Sequence, residues 1–288
     1  MPPKVRDLLA ATLNAAGQNE TPVLRIHTQS SNEWIPWEVL GDGTDLLGFR
    51  FKISRIPIVP HILDATSNQP HQVRNITSFL GRDVLDQQQR EEWEGTFSGL
   101  FDPPTVEQLF PALGDTMNFP DLQQVSKNYQ NADIVHVMCH GMKDQETVYL
   151  TLNHRSPPAS SFLFNITSNT LNSFVFRSRP LVFGNGCSSS GAIGGNQPVG
   201  LMPPGIGASF FSRGALNFVG TFAPVTKKMA LEFARKFYEH LLGKNGQPGL
   251  PIADALWATK QHFRQANSTD PSYLFYCLYG PPDTTYQA

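Results

Sequence analysis

The sequence predicts an α/β fold, a mostly parallel sheet with helices on both faces, and three observations predict it. Residues 134–138, 180–183 and 215–219 form short apolar runs of the kind found in strands buried on both faces. Two amphipathic helical segments follow, one carrying Ala230, Phe233, Phe237 and Leu241 and the other Ile252, Ala255, Leu256, Thr259 and Phe263. Their order, strand then helix then strand, is that of parallel strands joined by crossover helices.

Taken in order, the elements begin with a helix in which Val5, Leu8, Leu9, Leu13 and Ala16 fall at helical spacing, with Gly17 as its stop. Between residues 21 and 60 the pattern turns β-like. Val23, Leu24 and Ile26 form one short run, and Phe49, Phe51 and Ile53 alternate with Arg50, Lys52 and Ser54 as a half-buried strand would. Residues 61–120 are polar and irregular, with Gln87-Gln88-Gln89 and Pro103-Pro104, and read as helices and long loops connecting two lobes. A helix-like stretch at 121–130 leads into the strand at 134–138, and a further strand is expected at about 147–152. After the run at 180–183 comes a small-residue loop at 184–200. A helix near 201–212 closed by Gly214, the strand at 215–219, the two amphipathic helices and a final strand-like stretch at 273–279 complete the chain.

Composition excludes several function classes. The chain has 288 residues, 40% of them hydrophobic, enough to bury a core without disulfide staples. Its 22 Lys+Arg against 24 Asp+Glu leave a net charge of −2 with the basic residues scattered, so nothing matches the clustered charge that phosphate backbones demand. Nucleic acid is therefore not an expected partner. No apolar run reaches the roughly 20 residues of a spanning helix. The first residues are too polar for a signal peptide, so the expected location is cytoplasmic and the Asn-x-Ser/Thr matches are read as chance. Three cysteines, Cys139, Cys187 and Cys277, make an odd set that suits a reducing compartment and individual roles.

In parallel sheets the reactive groups gather where the strands end, and two apolar runs here end in reactive side chains: one in His140-Gly141, the other in Gly186-Cys187. If those strands are neighbours, Cys187 faces His140 as a thiol nucleophile faces a proton-accepting imidazole. Their separation of about 50 residues is that of caspases. Gly141 and Gly186 would let a substrate backbone approach and leave N–H groups free for an oxyanion. Other readings are weaker. His136, Cys139 and His140 do not make a zinc site, because alternation sends Cys139 to the opposite face, into the core, and no fourth ligand is evident. The loop at 184–195 lacks the spacing of a phosphate-binding loop and the final glycine of a serine-hydrolase elbow, so no metal or cofactor is expected. Cys277, Trp34 and Trp37 read as core.

The segments IPWEVL (35–40), IVHVMCHG (134–141), PLVFGNGC (180–187), FFSRGALNFVGTFAPV (210–225), KFYEHLL (236–242) and CLYGPPD (277–283) occur in the order seen in CHAT-domain proteins. The chain thus resembles that group of caspase-like cysteine peptidases, clan CD, which also holds separases, gingipains and legumains. The resemblance implies a caspase-like three-layer sandwich, with residues 1–124 a smaller non-catalytic half and 125–288 the catalytic half. It implies a cysteine endopeptidase acting on a protein substrate through a Cys-His dyad, His140 with Cys187 as nucleophile. The backbone N–H groups of Gly141 and Cys187 would form the oxyanion hole. No third acid is required. Asn185 matches a position that lines the caspase pocket for the residue preceding the cut, and Asp144 is an acidic candidate just after the His140-Gly141 turn. The chain departs from relatives in Gly-Asn-Gly before the cysteine and in Phe222-Ala223-Pro224 where many carry Leu-Trp-Pro, departures that bear on substrate preference. Family members act in bacterial regulated proteolysis, including antiviral defence and cell death, so an activating protein or sensor partner is implied. Two alternatives stand beside this reading: a catalytically silent module that binds a peptide in the same crevice, and a nucleotide-binding protein using the Gly-rich loop.

Overall fold

The computed structural model describes residues 3–17, 20–29, 35–58, 70–80, 91, 106–109, 130–143, 148–151, 165–166, 175–187, 189, 205–244 and 246–287. Helix α1 (Pro3–Ala15) precedes β1 (Val23–Thr28), and a single helical turn, α2 (Leu47–Arg50), leads into β2 (Lys52–Pro57). Seven short strands follow: β3 (His71–Gln72), β4 (Ile76–Leu80), β5 (Val106–Leu109), β6 (Ile134–Met138), β7 (His140–Lys143), β8 (Val148–Thr151) and β9 (Asn165–Ile166). The remainder runs β10 (Leu181–Asn185), α3 (Ile206–Ser212), β11 (Asn217–Thr221), α4 (Lys227–Leu242), α5 (Ile252–Gln265), β12 (Tyr276–Tyr279) and β13 (Tyr286–Gln287).

The main sheet has the order β1-β2-β12-β11-β10-β6-β4-β5, and every neighbouring pair in it is parallel except β11 with β12. The expected mostly parallel α/β sheet is present. Strands from residues 1–124 lie at both edges, and the central four come from 125–288. A single sheet thus takes strands from both sides of residue 124.

The central strands β6, β10, β11 and β12 are buried at every position, which is why they read as continuous apolar runs. On one face, Phe183, Val219, Tyr276 and Leu278 pack against Phe233, Phe237 and Tyr238 of α4 and Ile252 and Phe263 of α5. On the other, Val135, Val137, Val182, Phe218 and Tyr279 meet Ile206 and Phe210 of α3. Each fully buried aromatic or aliphatic side chain contributes about 1.5–3 kcal/mol, so the two faces hold the sheet as the middle of three layers. Thr226 caps α4 by accepting from the Met229 N–H. Gly214 ends the turn after α3 at a φ of +102°, where an added Cβ would also press on the Phe176 carbonyl.

Four expectations change. The strand expected through Phe49 starts only at Lys52, because Trp257 and Gln261 of α5 both donate to the Phe49 carbonyl and draw it into a helical turn. Strand β4 stands in a region expected to hold helices and loops. Its Thr77 and Ser78 look like loop residues but are buried between β5 and β6. The stretch 273–279 is strand only from Tyr276, since Asp270 accepts from the Ser272 N–H and caps a 3-10 helix over Pro271–Phe275. Helix α1 buries Leu9 and half-buries Leu13 but leaves Val5 and Leu8 exposed. The helix expected at 121–130 lies outside the described residues except for Gln130.

At the β2 edge, Arg55 and Glu38 form an ion pair at 2.5 Å, each 1% exposed, with the guanidinium over the Tyr279 ring. The pair ties the 35–40 segment to the sheet. Removing one partner would strand a buried charge at a cost of about 3–5 kcal/mol.

Candidate active site

Strands β6 and β10 are parallel neighbours in a fixed register, Leu181 beside Ile134 through Asn185 beside Met138. Beyond the last paired rung the two strand ends stay close, with Gly186 against the Cys139 carbonyl and Gly141 against the Cys187 backbone. The chain leaves the main sheet here: after Cys139 it enters β7, which starts at His140 and pairs with β8 in a small antiparallel sheet, Gly141 opposite Leu150. His140 therefore begins a strand rather than a turn. His140, Gly141 and Cys187 are half-buried at the crest, while Cys139 is buried in the core on the α3 face. Burial pushes the Cys139 thiol up, helped by the nearby Cys187.

The approach of the two strand ends is possible only because both glycines lack a Cβ. One added at Gly141 would overlap the Cys187 carbonyl, and one added at Gly186 would lie 2.7 Å from the Cys139 carbonyl oxygen. The sequence assigned these glycines to substrate approach; their measurable role is to let the two strand ends meet.

Beneath Cys187 the turn is braced by two hydroxyls. Thr221, the last residue of β11, donates its Oγ1–H to the Gly186 carbonyl at 2.6 Å, and the Ser189 N–H reaches the same oxygen at 3.1 Å. Ser189 is fully buried; its hydroxyl donates to the Gly184 carbonyl and accepts from the Thr221 N–H at 2.9 Å. The hydroxyl fits because Gly184 and Gly220 are cross-strand partners, and a Cβ at Gly220 would sit 2.8 Å from the Ser189 oxygen. Neither Ser189 nor Thr221 was singled out by sequence. Their partners are backbone carbonyls and amides, which leave no trace in residue spacing; only the repeated small residues at 184, 186 and 220 hint at the close fit.

The Cys187 thiol donates to the Val225 carbonyl at 3.6 Å, in the segment linking β11 to α4. That segment is fastened to the one before β12. The Phe222 N–H donates to the Phe275 carbonyl at 3.1 Å, their rings stand 5.3 Å apart, and the Thr226 hydroxyl donates to an Asp270 carboxylate oxygen at 2.6 Å. Burial opposes ionisation of Asp270, but the bonds from Ser272 and Thr226 outweigh it and hold the carboxylate below its usual range.

Asn185 lies lower than the crest. It is 2% exposed; its amide nitrogen donates to the Ala230 carbonyl at 2.9 Å and its oxygen accepts from the Tyr276 hydroxyl at 2.7 Å. In this arrangement the side chain joins β10 to α4 and β12. Asp144, the other residue read as substrate-binding, lies outside the described residues. Among the described residues no group of three His, Cys, Asp or Glu could hold a metal ion, and no helix is long and apolar enough to cross a membrane.

Similar folds occur in solved structures. Saccharomyces cerevisiae separase, solved with securin, superposes with a TM-score of 0.61 at 20% identity over 92% of this chain, which spans only 16% of that separase chain. The Arg-specific cysteine proteinase gingipain R gives 0.63 at 10% identity, with 99% of this chain and 68% of that one covered. The complex of Porphyromonas gingivalis RgpB pro- and mature domains gives 0.59 at 9% identity, covering 99% and 70%. At these identities the likeness establishes the fold, the caspase-like sheet sandwich of these neighbours. No curated protein matches the sequence. A family model described as CHAT domain matches residues 3–281, nearly the whole length. The chain belongs to the CHAT domain family.

Proposed function

We propose that this protein is a cysteine endopeptidase in which Cys187 is the nucleophile and His140 its proton acceptor and donor. The observation that carries the reading is the close approach of the chain just past the paired ends of β6 and β10, with Gly141 packed on the Cys187 backbone. In the reaction, His140 takes the thiol proton as Cys187 Sγ forms a bond to the peptide carbonyl carbon. The oxyanion is met by the N–H groups of Gly141 and Cys187. His140 then protonates the departing amine, leaving a thioester, and water activated by His140 releases the acid product and restores the thiol. No metal or cofactor enters.

Before substrate arrives, the thiol proton is engaged by the Val225 carbonyl. Catalysis therefore requires the sulfur to exchange this partner for His140. A protein partner or ligand that moves the 222–226 segment would therefore control activity. Separase, a structural neighbour, is solved in complex with securin, and control by a bound protein partner forms part of this proposal.

The test compares new protein N-termini in a lysate treated with the wild-type chain and with Cys187→Ala, each with and without candidate partner proteins. Cleavages made only by the wild type support the proposal and read out its specificity. No cleavage in any arm, with no reaction of Cys187 toward a thiol-reactive peptide, would overturn it in favour of a peptide-binding module.

A further inference from the structure

The peptide group joining Gly186 to Cys187 is planar and trans, so its carbonyl and its N–H point in opposite directions. That carbonyl is fixed by two donors, the Thr221 hydroxyl at 2.6 Å and the Ser189 N–H at 3.1 Å. Thr221 belongs to β11, on one side of β10, and is fully buried, so its hydroxyl holds the carbonyl toward β11. The Cys187 N–H is thereby turned the other way, toward β6, where Gly141 lies against the Cys187 backbone. The brace is itself held: the Thr221 N–H donates to the Ser189 hydroxyl, which donates to the Gly184 carbonyl. Four backbone groups and two hydroxyls form one closed arrangement around the turn.

We propose that Thr221 is a positioning residue for the oxyanion hole: by anchoring the Gly186 carbonyl it aims the Cys187 N–H at the oxygen of the substrate carbonyl. This rests on the cysteine-peptidase reading above. Thr221 touches neither substrate nor thiol. Its effect falls on the orientation of one N–H, so it changes the stabilisation of the tetrahedral oxyanion and leaves ground-state binding and thiol chemistry alone. Loosening that orientation matters because a misplacement of about 1 Å at a reacting group costs about 100-fold in rate.

The test uses the full chain, with a peptide substrate and a peptide aldehyde built on a recovered cleavage sequence, and iodoacetamide as an alkylating agent that forms no oxyanion. Thr221→Val removes the hydroxyl at nearly constant volume, and Thr221→Ser keeps it. The expected result for Thr221→Val is a fall of about 10–100-fold in kcat and a matching loss of aldehyde affinity, with KM and the Cys187 alkylation rate within about twofold of wild type. Thr221→Ser should restore kcat and aldehyde binding. Should the valine variant not fold, Thr221→Ala carries the same prediction. A hydroxyl-free variant with wild-type kcat and aldehyde affinity overturns the proposal alone, as does one in which alkylation and KM deteriorate together with kcat. A wild-type protein that neither cleaves nor binds the aldehyde overturns the peptidase reading, and this inference with it.

Discussion

At its start, β10 is walled by rings: Phe183 stacks on His136 at 4.9 Å and packs against Phe237, Tyr238 and Tyr276 at 5.2–5.9 Å. Around Gly184, Gly186 and Ser189, on the same strand and its turn, no ring or aliphatic chain extends from the backbone, and order comes from hydroxyls bonded to carbonyls and an amide. The two regions show how one strand separates two tasks. Burial of rings is non-directional and fixes where the strand lies. Hydrogen bonds at fixed geometry determine which way each peptide group faces. Variants in the first region should therefore cost stability, and variants in the second should cost rate.

The largest effect expected is from Cys187→Ala, which should abolish cleavage while leaving stability within about 0.5 kcal/mol in urea denaturation, because the residue is half-buried at the crest. A large loss of stability there would break the contrast. Gly141→Ala comes next. Its Cβ cannot coexist with the Cys187 carbonyl, and separating the strand ends should lower kcat/KM by about 100-fold or more in a peptide assay. In the aromatic region, Phe233→Ala removes a fully buried ring stacked 3.7 Å from Tyr276. It should destabilise the fold by about 3–5 kcal/mol by chemical denaturation. The fraction that remains folded should keep the wild-type kcat.

Asn185 sits between the two regions and sharpens the comparison. Asn185→Ala strips the Tyr276 hydroxyl and the Ala230 carbonyl of buried partners, for about 1–3 kcal/mol in the same denaturation assay, with KM for peptide unchanged if its amide serves the packing alone. A raised KM with little loss of stability would instead return Asn185 to the substrate pocket. The smallest effect concerns pH. Burial lowers the pKa of His136 well below its ordinary value, so below about pH 6.5 the unfolded chain takes up a proton that the folded chain does not, and stability falls as pH falls. Burial lowers His240 and His262 in the same direction. His136→Asn should remove one of these contributions, reducing the decline between pH 6.5 and 5 by up to about 1.4 kcal/mol per pH unit, read by urea midpoints across that range.

Much of this was legible in the sequence for a physical reason. Strands β6, β10 and β11 are buried on both faces, and burial on both faces is written as uninterrupted apolar residues. Helices α4 and α5 bury one stripe each, and a stripe is written as a 3.6-residue period. His140 and Cys187 stood out as candidates because each follows such a run. Strand β4 was not, since Thr77 and Ser78 satisfy the sheet through their backbones while their side chains look like those of a loop. Nor was the antiparallel direction of β12, which depends on where the segment after α5 re-enters the sheet. The brace of Ser189 and Thr221 lay beyond reach for a related reason: their bonds go to main-chain atoms of residues that every sequence possesses. Asn185 has the residue type for recognition, but its burial beneath α4 is a product of packing.

The central claim is that the ends of β6 and β10 make one nucleophilic centre from Cys187 and His140. Its most direct test is mass-spectrometric mapping of the adduct formed by an acylating peptide probe at pH 7, on the wild type and on His140→Ala. A single adduct on Cys187, lost or slowed by about 100-fold or more without the imidazole, is the result expected. An adduct on Cys139 or Cys277, or labelling of Cys187 that proceeds as fast in His140→Ala, would contradict it.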